Sequence, residues 1–136
     1  MTAPTGHRSM PVLGVADVRE GLDFYHNKLG FRVGGMFSHD EPDLPIQFAI
    51  LEFGAITLAL QRDADAQTHP RHSLSAYFYI DGVDAYYEQV KAKTVDIAEP
   101  PHVTFYGIRE FTVRDNFGYL LAFGEDLQPS SRGPGL

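Results

Sequence analysis

The 136-residue chain contains no cysteine, and that absence removes several chemistries at once. Disulfide frameworks, thiolate metal centres and cysteine nucleophiles are excluded, and the composition fits a cytoplasmic protein. Basic residues are also scarce, with 11 Lys and Arg against 18 Asp and Glu, a formal net charge of −7 and a pI near 5.2. Binding to phosphate backbones needs clustered cations, and the chain holds no Lys/Arg cluster, so nucleic acid is not an expected partner while cationic ligands are favoured. No apolar run approaches the roughly 20 residues of a membrane span, so no membrane partner is expected. The opening Met-Thr-Ala-Pro-Thr-Gly-His-Arg carries no apolar export signal. What remains is an ordinary globular composition, 43% hydrophobic and 21% charged, at a length that suits one domain.

The apolar alternation at Met10, Val12 and Val15 predicts a first strand. Asp17 followed by Glu20 is a capping signature, and Val18, Leu22, Tyr25 and Leu29 recur on one helical face that Gly30 is placed to terminate. Phe31 opens a second strand toward Phe37, and the acidic, turn-rich stretch from Ser38 to Pro45 reads as an exposed loop. Strands over 46–53 and 55–61 flank a tight hairpin at Gly54. Polar residues 62–71 read as a linker.

The order then repeats. Leu74–Ile80 predicts a strand, and Asp81 with Asp84 opens a helix burying Val83, Tyr86 or Tyr87, and Val90. Pro100-Pro101 ends any further helix, and strands are expected near 103–106, 109–114 and 119–123. Asp17 to Asp81 and Gly54 to Gly118 share one spacing, 64 residues, which argues for an internally duplicated βαβββ unit. The expected class is α+β, with two tandem βαβββ modules (about 9–62 and 72–125) in a single domain over 9–126. Residues 1–8 and the Pro/Gly/Ser-rich 127–136 read as flexible ends. One helix covers only one face of each sheet, so a curved face is left open as a ligand groove.

The phrases Pro11-Val-Leu-Gly-Val-Ala-Asp17, Asp23-Phe-Tyr…Leu29-Gly-Phe31 and Gly107-Ile-Arg-Glu-Phe-Thr-Val-Arg-Asp-Asn-Phe-Gly118-Tyr-Leu-Leu resemble the vicinal oxygen chelate superfamily of glyoxalases, extradiol dioxygenases and bleomycin-resistance proteins. The resemblance runs from about Met10 to Glu125. It implies a divalent metal held by His, Gln or Glu at four places in catalytic members, which fall here on Met10 or Pro11, Leu74 or Ser75, Leu58, and Ala122. None of these can bind a metal, nor can the neighbours Thr57, Ala59, Leu121 and Phe123 assemble the three to four ligands required. Neither metal nor other cofactor is therefore expected.

The strand Ala76-Tyr-Phe-Tyr-Ile-Asp resembles the aromatic strand of the bleomycin-resistance branch, whose rings face a drug groove, although this chain has no tryptophan. That resemblance implies a metal-independent, drug-sequestering protein that binds a small aromatic or cationic molecule, with the groove at a homodimer interface. Candidate ligand-binding residues are Phe37, His39, Phe48, Leu60, Tyr77, Tyr79, Tyr106 and Glu110. Aromatic faces suit flat or cationic ligands, and Asp40, Glu41, Asp43 and Glu110 would attract a cation. Pro11 resembles the point where drug-binding relatives pass a strand to a partner chain. Two alternatives stand beside this one. One is a metal-dependent lyase, isomerase or dioxygenase with ligands drawn from His39, Glu52, His102 and Glu110; the other is a fold used only for protein–protein pairing.

Overall fold

A computed structural model describes residues 3–39 and 43–128. The elements follow in the order β1 (Val12–Val15), α1 (Val18–Asn27), β2 (Arg32–Ser38), β3 (Ile46–Phe53), β4 (Ile56–Arg62), β5 (Leu74–Tyr79), α2 (Val83–Ala92), β6 (Asp96–Val103), β7 (Ile108–Arg114) and β8 (Leu120–Asp126). They form two four-stranded sheets of identical order, β1-β4-β3-β2 and β5-β8-β7-β6. In each, the first strand is parallel to the last and the other pairs are antiparallel. The architecture is α+β, and the shared order is the duplication made visible.

The two helices begin differently. The Asp17 side chain accepts from the Glu20 amide at 3.1 Å and caps α1 as the Asp-x-x-Glu phrase predicts. On α2 the capping residue is Gly82, in the left-handed conformation, and the carboxylate that accepts from the Val83 amide, at 3.0 Å, comes from Glu125 on β8. Asp81 does not serve as the cap. The helix start is thus tied to the sheet it covers.

No helix runs through Pro100-Pro101, but the strand expected near 103–106 begins earlier, at Asp96, so both prolines lie inside β6. This strand is a sheet edge, and its register against β7 shifts between Glu99 and His102. Proline lacks an N–H to donate, and an irregular edge is where a strand tolerates it. Gly118 also differs from Gly54. Phe53 pairs with Ile56 around a two-residue loop with Gly54 at φ 55°, whereas Arg114 pairs with Leu120 around a longer turn. In that turn a Cβ on Gly118 would meet the His69 carbonyl oxygen.

One cluster of buried side chains joins the helix-facing sides of both sheets. Leu13, Val15, Leu51, Leu58 and Leu60 contribute from the first module and Phe78, Phe111, Val113, Leu121 and Phe123 from the second. Core residues on the last strands, 58 and 60 against 121 and 123, are 63 apart, so a fixed 64-residue offset misplaces a face by one position. Polar contacts cross the module boundary as well. The Tyr86 hydroxyl donates to the Leu29 carbonyl and the Tyr25 hydroxyl to the Asp115 carboxylate, each at 2.6 Å. Both phenols are pushed up, chiefly by burial, which keeps them protonated donors. Asp115 also accepts from the Phe117 and Tyr119 amides, which shape its turn, and the bond from Tyr25 gives it a role beyond that turn.

Candidate functional site

Strand alternation sends Phe78, Phe111 and Phe123 into the core, so Tyr77, Tyr79, Glu110, Thr112, Arg114, Ala122 and Gly124 share the opposite, open face of the second sheet. Tyr77 and Tyr79 lie with ring centroids 5.2 Å apart and their planes tilted by 52°. Tyr79 is 61% exposed, whereas Glu110 is only 8% exposed. The Glu110 Oε1 atom accepts hydrogen bonds from the Tyr77 hydroxyl at 2.9 Å and the Tyr106 hydroxyl at 3.3 Å. Burial, then the bond to this carboxylate, raises the Tyr77 phenol; burial and the Glu110 charge raise Tyr106. Both hydroxyls therefore remain protonated and donate at neutral pH.

Gly124 permits the arrangement. Tyr77 stands on β5 and Glu110 on β7, with β8 between them, and Gly124 is the β8 residue paired with Glu110. A Cβ there would lie 2.5 Å from the Tyr77 hydroxyl and 2.8 Å from Ile108 Cγ2. Sequence reasoning missed this residue, although a glycine inside a strand is itself a signal of close approach. The open side of Tyr77 and Tyr79 borders a cavity of about 250 Å³ shared with Arg8, Pro11, Ile56 and Thr57, where the two modules meet.

The other candidate residues form a second set. Phe37 and Phe48 pair across β2 and β3 on the open face of the first sheet, with ring centroids 6.3 Å apart. Among the described residues no ring contact or hydrogen bond links them to Tyr77 or Tyr79 within one chain. His39 is exposed just beyond β2, and Asp43 is exposed as well; Asp40 and Glu41 lie outside the described residues. Leu60 belongs to neither set. It is fully buried on the core face of β4, against Gly21 of α1, and no ligand on the open face can touch it.

Two open-faced sheets of this order, each backed by one helix, define a glyoxalase-type fold. Residues 7–123 match the model of the Glyoxalase/Bleomycin resistance protein/Dioxygenase superfamily, and the chain belongs to that superfamily. Among solved structures it is similar to TioX from Micromonospora sp. ML1, with 22% identity over 90% of this chain and 100% of that one and a TM-score of 0.71. It also resembles a glyoxalase-related enzyme from Clostridium phytofermentans, with 16% identity, coverage of 93% and 99%, and a TM-score of 0.75. A third is the fosfomycin resistance protein FosX from Listeria monocytogenes, with 18% identity, coverage of 90% and 94%, and a TM-score of 0.65. No curated protein sequence matches the chain significantly. Likeness at these identities establishes the fold and leaves function to the site.

The residues do not fit the divalent ion associated with catalytic relatives. Leu58 faces the core, and the adjacent open-face position on its strand is Ala59, which, like Ala122 on β8, is apolar and buried. Among the described residues no three His, Asp or Glu side chains converge. Of the alternative set, Glu52 is ion-paired with Arg32 on the first sheet, and His102 lies 3.6 Å from Glu99 on the second. A hard or borderline cation needs several oxygen or nitrogen donors in one shell, and these positions do not supply them.

Proposed function

We propose that the protein is a metal-independent binding protein that sequesters a small planar aromatic or cationic molecule. The observation that carries this reading is the Tyr77–Tyr79 pair beside a nearly buried carboxylate, Glu110, which is held by two phenols and, among the described residues, by no cation. Rings at this spacing offer a face for stacking, worth about 0.5–1.5 kcal/mol per pair beyond burial, and the carboxylate adds attraction for a positive group. Membership of a superfamily that includes bleomycin-resistance proteins, and a fold shared with a fosfomycin resistance protein, support drug sequestration as its role.

The binding groove in this reading is completed by a second copy of the chain. Val12 and Phe37 on one open face and Leu74, Tyr79 and Tyr106 on the other are large exposed apolar or aromatic groups. Setting the first sheet of one copy against the second sheet of its partner would cover both faces and place Phe37 and Phe48 opposite Tyr77 and Tyr79. Strand β1 pairs with β4 of its own chain, so this dimer needs no exchange of that strand. The test is a ligand-induced thermal shift across bleomycin and other cationic, planar antibiotics, followed by the Tyr77→Ala/Tyr79→Ala variant and sedimentation of both proteins. Binding by the wild type weakened tenfold or more in the variant supports the groove. Equal affinity in the double variant, or stoichiometric Zn, Mn, Ni or Fe in protein purified without chelator, would overturn the reading.

A further inference from the structure

The open face of the second sheet continues past Glu110 into a different kind of pocket. Thr112 and Arg114 follow Glu110 at alternate positions on β7, and these three, with His72, Leu74, Glu99 and Leu120, line a cavity of about 270 Å³. Same-face residues two apart on a strand lie roughly 7 Å apart, so Arg114 stands two such steps from the Glu110 carboxylate within the one cavity. Arg114 is half-buried, and among the described residues its guanidinium makes one hydrogen bond, from Nη2 to the Arg71 carbonyl at a long 3.3 Å, while its buried Nε has no acceptor. A guanidinium carries five donors in a planar fork, and a buried donor left unpaired is costly, so this group is under-satisfied where it stands.

The nearby acids do not neutralise it. Glu110 is occupied by the two phenols, and Glu99 lies 3.6 Å from the His102 imidazole rather than against Arg114. No ion pair to Arg114 exists among the described residues. A guanidinium in this condition is matched by a planar, two-oxygen anion, which satisfies the fork through paired charge-assisted bonds.

We propose that Arg114 is the centre of an anion-binding subsite, and that the ligand is an aromatic molecule carrying a carboxylate or comparable oxyanion on the side away from Glu110. This rests on the groove reading above and specifies its ligand further. The aromatic body lies on Tyr77 and Tyr79, Thr112 offers a hydroxyl between the two ends, and the oxyanion draws Arg114 from its weak bond to the Arg71 carbonyl. A purely cationic ligand would use only the Glu110 end of the face.

Matched probes test the charge requirement directly. Naphthalene-2-carboxylate and naphthalene-2-carboxamide share an aromatic body and differ in one charge, and their binding to the full chain can be read by NMR titration or tyrosine fluorescence. The expected result is at least tenfold tighter binding of the carboxylate. That preference should disappear in Arg114→Gln, with amide affinity unchanged, and return in part in Arg114→Lys; thermal melts confirm that each variant is folded. Equal affinity for the two probes in the wild type, or a preference that survives in Arg114→Gln, would refute the subsite while leaving the aromatic groove standing. Failure of both probes to bind would refute the two together.

Discussion

Replacing Gly124 by alanine tests the geometry of the site by displacing the Tyr77 ring without replacing it. The new methyl would sit 2.5 Å from the Tyr77 hydroxyl, 3.0 Å from its Cζ and 2.8 Å from Ile108 Cγ2. The ring is the mobile partner, so it must swing away and give up its 2.9 Å bond to Glu110. A hydrogen bond to a charged acceptor is worth about 1.5–3 kcal/mol, against about 0.5–1 kcal/mol gained by removing glycine from a strand interior. A net loss of about 1–2 kcal/mol is expected in urea unfolding. The decisive measurement is a double-mutant cycle with Tyr77→Phe. Without the hydroxyl the closest clash and the bond are both gone, so Gly124→Ala should cost at least about 1 kcal/mol less in that background. Additivity within about 0.5 kcal/mol would show that Gly124 does not act through the Tyr77 hydroxyl.

Two further expectations concern stability. Thr94 is the only described non-glycine residue at positive φ, 59°, and it follows α2 as Gly30 follows α1. Thr94→Gly should therefore raise stability by about 0.5–1 kcal/mol, because a β-branched residue pays more for this conformation than glycine loses in chain entropy; a lower unfolding midpoint would contradict the account. Burial raises the Asp115 carboxyl above its ordinary 3.8, although the bond from Tyr25 opposes the rise. The native state thus holds this proton more tightly than the unfolded chain does. Its contribution is complete below the unfolded value and is lost as pH rises through the native one. Asp115→Asn removes that titration, so wild-type stability relative to the variant should fall as pH rises from the ordinary carboxylate range in matched urea titrations. A constant difference would refute the assignment.

The duplicated topology was legible because its signals are local: a capping Asp17, a helical stripe, and alternating strands around Gly54. The shared spacing of Gly54 and Gly118 revealed the repeat but concealed its drift, since the turn from Asp115 to Tyr119 is longer than its counterpart. Counting a fixed interval from each glycine therefore lands on Leu58 when Ala59 holds the open-face position, and Leu60, of the same parity as Leu58, packs under α1 rather than lining a groove. Alternation puts Tyr77 and Tyr79 on one face of their strand, and the resemblance to the bleomycin-resistance branch, not the alternation, makes that the open face. The connection to Glu110 through Gly124 was not legible, because it depends on which strand lies between β5 and β7. The Glu125 cap on α2 and the Tyr25–Asp115 bond are likewise contacts between distant segments, which no local pattern encodes.

The two prolines in β6 have a consequence for how copies of this chain can meet. An exposed strand edge is a template on which another strand can add its own hydrogen bonds, the common route to open-ended aggregation. Pro100 and Pro101 remove two successive backbone donors from β6, one on each side of the strand, and the register shift beside them interrupts the ladder there. The β2 edge of the other sheet is interrupted in its own way, between Val33 and Gly35 and again after Phe37. Lateral growth through the β6 and β2 edges is thereby discouraged, and in the dimer proposed above the broad faces that bear the aromatic side chains are the ones that pair. A two-fold pair of that kind would use both open faces of each copy and leave neither to propagate.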